Sequence, residues 1–137
     1  MTASLGDILT TQKNGVVAIN NLANTMSTWL GWTKGTSIPR VPATTSTSTL
    51  FTVPNGFSFT LTDLEICYTG GGTATFTIYI VPSGGTAGTG NALFYQAPIK
   101  ANSTVQWTGT QYLATGATIQ ASASTTDVTF MINGGQA

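Results

Sequence analysis

From Leu50 onward, apolar and polar residues alternate in short runs. Phe57, Phe59 and Leu61 fall on one face of an extended chain, and Leu64, Ile66 and Tyr68 alternate in the other phase. Period two marks a strand with one buried face. The slip between the phases at Thr62-Asp63 predicts a bulge, where one extra residue re-aims the strand. Gly70-Gly71-Gly72 reads as a turn, followed by a strand with Ala74, Phe76, Ile78 and Ile80 inward and Thr75, Thr77 and Tyr79 opposite. Residues 82–91 (PSGGTAGTGN) read as a glycine-rich loop. Short strands are expected near 92–97, 104–108, 118–123 and 128–133, the last with Val128, Phe130 and Ile132 inward. Turns are expected at 98–102, Gly109-Thr110, 114–117 and Thr125-Thr126. Seven or eight short antiparallel strands in this rhythm predict a mainly β domain over residues 50–137, an antiparallel β-sandwich or jelly roll.

The front of the chain has a different period. Leu5, Leu9, Gln12, Val16, Ile19, Ala23, Met26 and Leu30 are spaced by alternating steps of four and three. That is a heptad seam, and Ile8, Leu22 and Trp29 widen it. One amphipathic α-helix is therefore expected within residues 1–32, with Ser4 as N-cap and Asp7 as its capping-box partner. The flanking positions lack the charged pairs that keep a free coiled coil in solution. The seam is expected to be buried against copies of itself, in a groove on another protein, or on its own β-domain. The candidate interface residues are Leu5, Ile8, Leu9, Val16, Ile19, Leu22, Met26, Trp29 and Leu30. Between helix and body, residues 33–49 carry Pro39, Pro42 and the run TTSTST, with no apolar period. They read as an extended Thr/Pro linker.

Charge changes the picture by its scarcity. Asp7, Lys13, Lys34, Arg40, Asp63, Glu65, Lys100 and Asp127 are the full set, and they cancel. Nucleic acid or an anionic membrane surface would need clustered Lys and Arg, and none cluster here. A neutral surface rich in Thr and Gly dissolves poorly as a free monomer. It suits a chain whose surface is covered by copies or partners. The stretch 1–9 has neither a basic start nor a long apolar run, so no secretory leader is expected there. The longest aliphatic run of the helix, residues 16–19, is far too short to span a bilayer.

Candidate chemistry is sparse. The chain has no histidine, which excludes Ser–His–acid, Cys–His and His-ligated metal sites. Cys67 is the single cysteine, so no intrachain disulfide forms. Asp63 and Glu65 share one face of a strand but lack the loop spacing of a calcium site, and read as exposed acids rather than a catalytic pair. The glycine loop 84–90 has no lysine and leads into a strand, unlike a phosphate-binding loop. Asn102-Ser103-Thr104 matches a glycosylation sequon, which acts only on a secretory route. Tyr79, Tyr95, Trp107 and Tyr112 could form an aromatic glycan patch, although aromatics in a sandwich more often serve core or interface. Trp29 and Trp32 are better placed as interface anchors. No cofactor, metal or catalytic residue is expected.

Several stretches resemble a small β-domain of tailed-bacteriophage virion proteins. They are IVPSGG at 80–85, NALFY at 91–95, IKANSTV at 99–105 and YLATGATIQASAS at 112–124. The opening, LGDIL at 5–9 with QKNGVVAIN at 12–20, is similar to the start of short phage structural proteins. Ala117 departs from the pattern, standing where an acidic turn residue would be expected. The resemblance implies a non-enzymatic virion component, assembled in the bacterial cytoplasm. It implies capsid decoration (cement) or a head, neck or tail fibre. Its partners would be itself, as homodimer or homotrimer, and the major capsid protein or a head–tail or tail protein of the same phage. A glycan receptor would be the partner in the fibre alternative.

Overall fold

The computed structural model describes residues 10–20 and 34–137. Residues 10–20 form a helix, α1. Residues 34–136 form a separate compact unit of eight strands. These are β1 (Lys34–Pro42), β2 (Ser48–Thr52), β3 (Phe59–Tyr68), β4 (Ala74–Val81), β5 (Ala92–Ile99), β6 (Ser103–Leu113), β7 (Thr118–Ala123) and β8 (Val128–Gln136). The rest of the expected helix within 1–32 lies outside the described residues.

The expected period-two faces are what the core is made of. Phe59, Leu61, Leu64, Ile66 and Tyr68 of β3 are buried, as are Val128, Phe130 and Ile132 of β8. Between Leu61 and Asp63 the pairing of β3 with both its neighbours shifts register, so the bulge predicted from the phase slip is present. In the other sheet Phe76 and Ile78 of β4 lie opposite Ala123 and Ala121 of β7, large against small. This alternation lets two sheets interdigitate at interior packing density. Phe51 of β2 meets Phe59 of β3 with ring centroids 4.7 Å apart, a tilted contact across the sandwich.

The sheets are ordered β1-β8-β3-β6 and β2-β7-β4-β5, all pairs antiparallel. Only β4 and β5 are consecutive strands paired in one sheet; every other connection crosses between sheets. That order is the jelly roll, two Greek keys folded into a double sheet.

Three local expectations are corrected. Residues 33–49, read as an extended linker, include β1, which pairs with β8 from Lys34↔Gln136 to Pro42↔Thr129. An edge strand tolerates Pro39 and Pro42 because one side of its backbone donates to nothing in the sheet. The first four residues of the TTSTST run, 44–47, are the corner where the chain changes sheets, and Ser48 and Thr49 open β2. Ala43 N–H donates to Val128 O (2.7 Å) and Ala123 N–H to Thr44 O (3.0 Å), while the Thr44 hydroxyl contacts Ser46 O and Ser48 Oγ. Gly109-Thr110 is not a turn but lies within β6, where two residues oppose the single Thr62. Ile80, expected inward, is half-buried, and Val81 at the end of β4 is buried.

The β4–β5 register shift between Phe76 and Ile78 has a visible cause. Gln96 adopts φ 47°, and its N–H donates to the hydroxyl of buried Thr77 at 3.0 Å. Tyr95 and Gln96 together oppose Thr77, a bulge whose freed amide is satisfied by a side chain rather than by the ladder.

Candidate interaction surface

Helix α1 is built from Thr10, Thr11, Gln12, Lys13, Asn14, Gly15, Val16, Val17, Ala18, Ile19 and Asn20. Gly15 and the β-branched residues give it weak intrinsic helicity. Yet its apolar side chains are not covered: Val16 is 58% exposed, Val17 57% and Ile19 68%. Of the candidate interface residues, these structural facts bear on Val16 and Ile19. Leu5, Ile8, Leu9, Leu22, Met26, Trp29 and Leu30, and the anchor Trp32, lie outside the described residues.

The body presents a polar, nearly uncharged exterior. On the outer face of the β1-β8-β3-β6 sheet, Asp63, Glu65 and Cys67 of β3 lie beside Thr108, Gln106 and Thr104 of β6 and Asn133, Met131 and Thr129 of β8. Asp63 is held from both sides. Its carboxylate accepts from Gln106 Nε2 at 3.1 Å and from Asn133 Nδ2 at 2.9 Å. It therefore ties β3 to both neighbours just where the bulge interrupts the ladder. This is a strand tie; Asp63 does not face a second acid across a cleft. Among the described residues, no group of three His, Cys, Asp or Glu side chains could hold a metal ion, and no helix is long and apolar enough to cross a membrane.

The aromatic candidates separate. Trp107 shares the inner face with Leu64 and packs partly buried against the core, its ring lying over Gly109. Tyr112 is 63% exposed, and Tyr95, beside the β5 bulge, is also exposed. An open depression of about 330 Å³ beside Tyr112 is lined by Ile80, Pro82, Leu113 and Ala117 among others. It holds no carboxylate. The four aromatics thus do not form one patch.

No protein-family model matches the sequence, and no curated protein matches it. Solved structures are similar over much of the chain. A chain from the structure of the infectious bursal disease virus Gx strain superposes with a TM-score of 0.40 at 16% identity, covering 76% of this chain and 28% of that one. A pentameric capsid protein isolated from metagenomic phage sequences gives 0.36 at 19% identity, covering 73% and 60%. This chain therefore spans less than two thirds of each. The likenesses are of backbone course alone, and the fold assignment rests on the strand order.

Strand order also exposes a feature that local sequence patterns hide. Among the described strands, the sheet edges are β1, β6, β2 and β5. β1 carries two prolines, Lys34 and Arg40; β2 has five residues; β5 carries Pro98 and the Gln96 bulge. Each is a recognised way of blunting an edge. β6, eleven residues reading STVQWTGTQYL, has no proline and no charge. The turn expected at Gly109 divides β6 in sequence, which conceals both its length and its place at an edge.

Proposed function

We propose that the chain is a non-enzymatic structural component of a tailed-bacteriophage virion, an oligomeric accessory protein of the decoration or cement type. The jelly-roll body associates with copies of itself. The apolar N-terminal segment attaches it to the capsid or to the head–tail or tail assembly.

The observation that carries this reading is the uncovered apolar side of α1. A helical segment of weak intrinsic propensity keeps Val16, Val17 and Ile19 exposed, while the body has a complete core of its own. Such a helix is stabilised by what it packs against. The phage resemblance of both the opening segment and the body points the same way. Burial of apolar area at about 25 cal/mol per Å² drives the attachment, so ionic screening acts on it only weakly.

The test uses particles lacking the protein, incubated with full-length chain. Wild-type chain binds and stays bound in 1 M NaCl. A Val16→Asp/Ile19→Asp variant loses two apolar anchors of about 1.5–3 kcal/mol each and binds at least about 100-fold more weakly. Release of the wild-type chain by salt, or equal binding of the variant, contradicts the proposal. In the fibre alternative Tyr112 is the exposed aromatic for a glycan. With Trp107 turned inward and the aromatics dispersed, that reading has the weaker support.

A further inference from the structure

We propose that the first half of β6, residues 103–108, pairs antiparallel with the same strand of a second copy about a two-fold axis at Gln106. The inference deepens the self-association of the body proposed above and rests on it, but not on attachment through α1.

Three observations converge. First, among the described strands β6 bonds only to β3, so its other side offers backbone donors and acceptors that no described strand takes, along a segment regular from Ser103 to Thr108. Second, although β6 bulges at Gly109-Thr110, its segment 103–108 has no proline, charge, bulge or positive φ to discourage pairing. Third, the segment is self-complementary. With Gln106 opposite its own copy, Thr104 faces Thr108 on the outer side, and Val105 faces Trp107 on the inner side. The 104–108 and 105–107 contacts then each occur twice, with Gln106–Gln106 once on the axis, as an isologous interface requires. Thr–Thr, amide–amide and aliphatic–aromatic are favourable cross-strand pairs, and no like charges meet. Thr104, Gln106 and Thr108 are exposed, and Val105 and Trp107 are only partly buried in the single chain, so the pairing completes their burial. A second copy is favoured over a charged partner strand because nothing on this edge would select one.

The decisive experiment changes only the sign of one side chain in the full-length protein. Thr104→Lys/Thr108→Lys places lysines opposite each other twice across the axis. Thr104→Glu/Thr108→Lys places opposite charges there. Within one chain residue 104 lies diagonal to Glu65, so fold stability favours the lysine at 104 and runs against the predicted order. Sedimentation equilibrium is expected to show self-association weakened about tenfold or more in the Lys/Lys variant and kept near wild type in the Glu/Lys variant. In a Cys67→Ser background, Gln106→Cys is expected to form a disulfide between copies, while Gln120→Cys on the opposite sheet is not. Equal masses for both double variants, a monomeric wild type, or cross-linking at 120 as readily as at 106 overturns the proposal. Particle binding by the Lys/Lys variant is read separately: if it persists, the reading of α1 stands whatever the fate of β6.

Discussion

Gly134 shows how tightly β8 lies against β3. A Cβ there would stand 2.3 Å from Thr60 O and 2.4 Å from Phe59 Cζ. Gly134→Ala must push these strands apart, and is expected to lower stability by about 1–3 kcal/mol, read from the denaturant midpoint. Asp63 offers a second test at this scale. Asp63→Ala removes the acceptor for Gln106 and Asn133 together and is expected to destabilise by about 1–2 kcal/mol. Asp63→Asn, keeping one carbonyl oxygen, is expected to lose less. The sequence shows Asp63 only as one of two acids on a strand face. Its partners stand 43 and 70 positions away, a distance no local pattern spans. Buried faces were legible for the opposite reason: period two is written within each strand, so Leu64, Ile66, Phe130 and Ile132 announce themselves.

Among the elements, β3 with its bulge could be read because an extra residue reverses the phase of every side chain after it. β1 could not. Its prolines suppress the strand signal, and only its place at an edge makes them compatible with pairing. The β5 bulge was hidden too, since Gln96 looks ordinary in sequence and its left-handed backbone is held by Thr77 from the neighbouring strand. Thr77→Val leaves the Gln96 amide without that acceptor and is expected to destabilise by about 1–3 kcal/mol. For α1, Gly15 is open to solvent with no atom within 4 Å of an added Cβ. Gly15→Ala is therefore expected to favour the helix by about 1 kcal/mol, seen as added helical circular dichroism, and to tighten particle binding in proportion.

At the scale of the whole molecule, the jelly-roll order follows from which strands cross between sheets, and strand spacing alone leaves that open. The sandwich was legible; its order β1-β8-β3-β6 over β2-β7-β4-β5 was not. The uncharged exterior and the uncovered side of α1 fit a molecule that acts by association. Hydrogen exchange of residues 10–20 in full-length chain tests this most directly, compared between free protein and protein bound to its particle. Amides of residues 10–20, whose apolar side chains are uncovered, are expected to exchange readily in the free chain and to slow by about 100-fold or more on binding. Exchange at the same rate in both states would mean that α1 touches no neighbour when assembled, and would contradict this reading.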